Sequence, residues 1–174
     1  KITIPDREAL GMASHFEAAR GAYVIRDYRP GQPRGGTVFE QGTSTTNNVV
    51  RILPELDKAG LNVKIVAAIS PQLFRLQDAA YRERVASDAD RWDAMAISNR
   101  SRRVTQDWIA HRLVAEYSLT SDWDDRWRTG GSVDEVIAEA RLSPDAILEG
   151  IERFVRDREK RLAAMRAILD AASK

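Results

Sequence analysis

The sequence predicts an α/β fold of three layers, helices lying on both faces of a mostly parallel sheet of about five strands. Three observations lead there. From Thr37 onward, short apolar stretches alternate with segments of helical spacing, the pattern of repeated strand–helix units. One stretch, Asn62-Val63-Lys64-Ile65-Val66-Ala67-Ala68-Ile69, is almost continuously apolar after Lys64, as a strand covered on both faces is. Finally, Gly42-Thr43-Ser44-Thr45-Thr46-Asn47-Asn48 separates an apolar strand from a helical stripe, which marks a strand-to-helix turn.

Residues 1–34 read as an approach segment and linker. Pro5-Asp6-Arg7-Glu8 has the proline and acidic first turn of a helix start, and Gly21 suits its end. Ala22-Tyr23-Val24-Ile25 reads as a strand. Arg29 to Gly36 then carries two prolines and three glycines, a linker composition, and the domain boundary is placed there.

The α/β domain proper is assigned to 35–142. Its first unit joins the strand Thr37-Val38-Phe39-Glu40-Gln41 to a helix over 45–59, closed by Gly60, with Val49, Ile52, Leu53 and Leu56 on one face. Pro54 falls inside that helix and is expected to kink or end it, because proline lacks an N–H and crowds the preceding turn. After the second strand, Ser70-Pro71 supplies an N-cap serine and a proline at the first helical position. Leu73, Phe74 and Leu76 follow. A third strand is predicted over 93–98, and a fourth over 115–119 beyond a basic loop around Arg100, Arg102 and Arg103. Ser132 and Glu135 have the spacing of a capping box, opening a helix with Val133, Val136, Ile137 and Ala140 on one face.

Residues 143–174 form a C-terminal helical extension opened by Ser143-Pro144-Asp145. Ile147, Ile151, Phe154 and Val155 make a face that should dock on the sheet. Leu162, Met165 and Leu169 continue at three- and four-residue steps. An isolated helix of this composition would be marginal, so the tail is expected to lie over a neighbouring domain or a second chain.

Charge and composition exclude several function classes. The 27 basic and 26 acidic residues give a formal charge of +1, which offers no bulk attraction for nucleic acid or an anionic membrane. With no cysteine, disulfides and thiolate chemistry are ruled out, and the composition fits a cytoplasmic protein. No apolar run approaches the roughly 20 residues that span a bilayer, and no basic-then-apolar leader opens the chain. Because the first residue is Lys1, the sequence is expected to be a fragment or a processed chain.

The candidate sites are few. Gly42, Thr43, Ser44, Thr45 and Thr46 can hold an anion on the helix N-terminus, or cap that helix with their hydroxyls. Neither the dinucleotide fingerprint nor the P-loop pattern is present. Asp122, Asp124 and Asp125 lack the spacing and distal glutamate of a hard-cation loop, and Arg126 and Arg128 are expected to neutralise them. His15 and His111 have no evident nucleophile or orienting partner. Trp123 and Trp127, four apart among charges, are assigned with Leu162, Met165 and Leu169 to a contact surface, given the preference of tryptophan for interfaces.

Taken in order, these pieces resemble the C-terminal domain of the transketolase family of thiamine-diphosphate enzymes. The residues that carry the resemblance are 21–28, the strand and turn over 37–48, Leu61-Asn62-Val63-Lys64-Ile65-Val66, Ser70-Pro71-Gln72-Leu73-Phe74, Gln77-Asp78 and Tyr81-Arg82. The similarity spans about 21–140 and departs from the family over 116–128. In such enzymes other domains hold the diphosphate, its divalent metal and the aminopyrimidine, and the glycine-aspartate-glycine pattern with its downstream asparagine is missing here. The resemblance therefore implies a structural or regulatory lobe, or small subunit, that binds no cofactor itself and is inactive alone. Its implied partners are the catalytic domains of the parent enzyme and a second copy in a dimer. The alternative is a free-standing anion or sugar-phosphate binding module using the 42–48 turn.

Overall fold

The computed structural model describes residues 4–126, 128 and 130–173; Trp127 lies outside the described residues. Five strands, β1 (Ala22–Arg26), β2 (Thr37–Gln41), β3 (Lys64–Ala68), β4 (Ala94–Ser98) and β5 (Leu119–Thr120), form one sheet in the order β1-β3-β2-β4-β5. β3, β2, β4 and β5 run parallel, while β1 lies antiparallel on the edge of β3. All residues of β3 and β4 are buried, which is why these strands read as unbroken apolar runs.

Helices cover both faces, giving the three-layer α/β fold expected. On one side lie α1 (Thr43–Arg51), α2 (Leu53–Lys58) and α8 (Pro144–Arg156). Val38, Ile65, Met95 and Ile97 of the sheet pack there with Val49, Leu56, Ile147, Ile151 and Phe154. On the other side lie α3 (Pro71–Arg75), α4 (Ala79–Ala86) and α5 (Asp88–Trp92), whose Phe74, Tyr81 and Val85 cover Phe39 and Val66. Trp108 completes this second core, its ring 5.7 Å from that of Phe39 and 5.6 Å from that of Phe74. This tryptophan is a core residue.

Several elements differ from expectation. The helix foreseen over 45–59 is two helices broken at Ile52, and Pro54 sits in the first turn of α2, where no N–H is required. The segment after Pro5 forms only turns before a 3-10 helix, His15–Arg20, ended by Gly21 at φ +86°. The fourth strand shrinks to the two residues of β5, preceded by the short α6 (Arg112–Ala115). The capping box of Ser132 and Glu135 opens α7 (Val133–Glu139) as expected. The last helix breaks at Asp157 into α8 and α9 (Arg158–Ala172). Residues on both sides of positions 34 and 142 share this sheet and core.

The amino ends of the strands are closed by buried charges in matched sets. Lys64 Nζ lies 2.8 Å from Asp90 Oδ2 and donates to the Arg84 carbonyl at 2.9 Å. Thr37 and Ser87 donate to the same carboxylate. One strand over, Asp93 receives Arg158 at 2.5 Å and Arg161 at 2.9 Å. The buried Arg161 guanidinium sits 3.7 Å above the centre of the Phe154 ring, tying α9 to α8. Gly36 makes this closure possible: its φ is +104°, and a Cβ there would lie 2.6 Å from the Phe154 ring.

Candidate functional site

The opposite, carboxyl ends of the strands are built differently. Side chains alternate along a strand, so Glu40 shares with Val38 the core-facing side beneath α1. It is 2 % exposed. Its Oε1 accepts a hydrogen bond from the Thr46 hydroxyl, and its Oε2 has no partner among the described residues. Burial pushes the carboxyl up to about 8, against the downward pull of the Thr46 hydroxyl.

The turn that follows leaves the helix N-terminus open. Gly42 is the N-cap at φ +112°, and no side chain caps α1. A Cβ on Gly42 would come 2.3 Å from Asn99 Oδ1, so the tight approach of the two loops needs glycine. The hydroxyls do not cap the helix as foreseen. Thr45 Oγ1 donates to the carbonyls of Gln41 and Gly42 at 2.8 Å, and Thr46 Oγ1 also reaches the Gly42 carbonyl at 2.7 Å. They hold the turn to the strand it leaves, and the first-turn amides keep their donor capacity.

Gly42, Thr43 and Thr46 line a cavity of about 400 Å³ together with Glu40. Met12, Val50 and Ile69 give it apolar walls, and Arg7 and Arg100 border it. Arg7 is anchored by hydrogen bonds to the Tyr23 hydroxyl at 3.2 Å and the Ala13 carbonyl at 3.1 Å. Thr45 is buried behind the turn. Ser44 faces a second groove with Asn48, Val136 and Leu142, and accepts from Asn99 Nδ2 at 3.2 Å. The five turn residues therefore divide between two surfaces and the interior.

The other candidates do not line this cavity. Burial raises the Asp124 carboxyl, but its bonds to Arg126 and Arg128 outweigh this and bring it down to about 2; the distances are 2.8 and 2.6 Å. Asp125 pairs with Arg102 at 2.5 Å, and Asp122 accepts from Ser101 and from the Arg102 amide. His111 stacks on Trp92 and bonds its carbonyl at 2.9 Å, while His15 stacks on Phe16. Trp123 is partly exposed beneath the Arg141 guanidinium. On α9, Met165 is buried, Leu162 half-buried and Leu169 57 % exposed. Among the described residues no group of three or more His, Asp or Glu side chains is placed to ligate a metal. Also among the described residues, no helix is long and apolar enough to cross a membrane.

Sequence reasoning missed Glu40, Arg7 and Arg100. An acidic residue at a core-facing position of a strand was the available signal for the first.

In fold the chain is similar to transketolases. A transketolase from Pichia stipitis, crystallised with sedoheptulose-7-phosphate, matches 87 % of this chain with a TM-score of 0.63 at 17 % identity. The transketolase of Campylobacter jejuni matches 87 % at 0.60 and 15 % identity, and that of Leishmania mexicana 84 % at 0.50 and 15 %. The matched region covers 20 %, 20 % and 19 % of those enzymes respectively, so this chain spans about a fifth of their length. No protein-family model and no curated protein matches the sequence. The likeness is one of fold and defines a transketolase-like α/β domain.

Proposed function

We propose that this chain is the C-terminal structural or regulatory lobe, or an equivalent small subunit, of a transketolase-like thiamine-diphosphate enzyme of the cytoplasm. It packs against the catalytic domains, supports a dimer and does not carry catalysis alone. The observation behind this reading is the fold likeness over 87 % of this chain to about a fifth of a transketolase. One feature of the surface supports it. Leu73 and Leu76 on and beside α3 are exposed, as are Ile168 and Leu169 on α9, and apolar side chains of this size favour contact with a neighbour. The likeness does not favour a free-standing anion-binding module.

Calorimetric titration of the chain with thiamine diphosphate and magnesium tests the proposal. The expected result is no saturable heat. Saturable binding, or turnover of a sugar phosphate by this chain unaided, would overturn it.

A further inference from the structure

We infer that the cavity at the carboxyl ends of β2 and β3 binds a small hydroxylated oxyanion. Its anionic head sits on the open first turn of α1 beside Arg100, and its hydroxyl meets the unpartnered oxygen of Glu40. This goes beyond the accessory-lobe reading and does not rest on it.

Two independent features converge on the cavity. The first is the N-terminus of α1, a helix of nine residues with no side-chain cap. Its amides and dipole favour an anion, and the hydroxyls that could have satisfied them donate to carbonyls instead. The second is Glu40, nearly fully buried, lining the same cavity, with Oε2 unpartnered among the described residues. Buried polar atoms without partners are rare and costly. A ligand hydroxyl repairs this defect whether the carboxyl is ionised or not, since Oε2 accepts a hydrogen bond in the first state and the acid can also donate in the second.

Topology and shape agree. β2 is flanked by β3 and β4, and the helices that follow β2 and β3 lie on opposite faces. That divergence creates a crevice at the carboxyl ends, where open α/β sheets receive ligands. Arg100, just past β4, adds a cation, and Met12, Val50 and Ile69 enclose a carbon skeleton. A volume of about 400 Å³ suits a small molecule. Phosphate monoesters and hydroxycarboxylates share the required chemistry.

Amide-resolved NMR titration of the whole chain with inorganic phosphate, glycerol phosphate and glycerate tests the assignment and separates the two head groups. Glycerol phosphate or glycerate should shift the amides of Thr43, Ser44 and Thr45 saturably, and the tighter of the two identifies the head group. Inorganic phosphate, which lacks the hydroxyl arm, should bind about tenfold more weakly, the worth of one hydrogen bond to a buried partner. Glu40→Leu should bring the hydroxylated probe down to the phosphate level, Glu40→Gln should retain part of the difference, and Arg100→Ala should weaken all three probes. No saturable shift at Thr43 to Thr45 with any probe would overturn the inference. So would equal binding of phosphate and the hydroxylated probes, or undiminished affinity in a folded Glu40→Leu protein.

Discussion

The two ends of the sheet handle buried charge in opposite ways. At the amino ends, Lys64 meets Asp90, and Arg158 and Arg161 converge on Asp93. Each carboxylate there has a cation and further donors. At the carboxyl ends, Glu40 is as deeply buried but has one hydroxyl on one oxygen and, among the described residues, nothing on the other. The first arrangement locks helices onto the sheet. The second leaves an acid whose needs the fold does not meet, next to a helix terminus in the same condition. Paired charge reads as architecture, and unpaired polar atoms at a crevice read as a place for something else.

The contrast can be broken from either side. The largest effect is expected at the locked end. Asp93→Ala leaves the buried Arg161 without its carboxylate, and breaking such a pair costs about 3 kcal/mol or more, read as a lower midpoint in chemical denaturation. Next come the opposite pH dependences of the two ends. For Asp90, burial raises the carboxyl, but Lys64 and Ser87 more than offset this and hold it below its ordinary value. Its contribution is present above the unfolded value of 3.8 and is lost as pH falls through the lower folded value. For Glu40 the sign is reversed: the folded protein keeps a proton that the unfolded chain gives up. Stability is therefore full below 4.5, declines as pH rises and is lost by about 8.

Glu40→Gln should abolish only the alkaline decline. It is expected to raise stability at pH 8 by up to about 4 kcal/mol while leaving the acid limb unchanged, as urea denaturation across pH would reveal. Arg7, Tyr23 and Arg100 are the other titratable or charged groups around the cavity, and all three remain in that variant. The smallest effect is expected at Leu169. Leu169→Lys on the exposed end of α9 should change stability by no more than about 0.5 kcal/mol, yet lower the mass in solution if this face supports a dimer.

Most of the framework is legible in the sequence. The central strands are found to within a residue or two because Ile65 to Ala68 and Met95 to Ile97 are covered on both sides. Ser70, Ser132 and Ser143 announce their helices through side-chain caps that the structure contains. β5 is poorly legible because only two of its residues pair, with Ile97 and Ser98. Trp108 gives no local sign of burial; its place in the core depends on Phe39 and Phe74, both distant in sequence. The turn over 42–48 is legible as a site, but its chemistry is not. Whether a threonine caps a helix or bonds back to a strand is set by backbone angles around Gly42. The isolation of Glu40 is set by β2 lying between β3 and β4, and Arg7 reaches the cavity only through the path of the amino-terminal segment.

Titration of the Glu40 side-chain carboxyl, followed by carbon-13 NMR in the intact chain, probes the difference between the two ends at its source. The account predicts a midpoint near pH 8, moving when an oxyanion is added. A midpoint close to the ordinary glutamate value, indifferent to added anion, would contradict it.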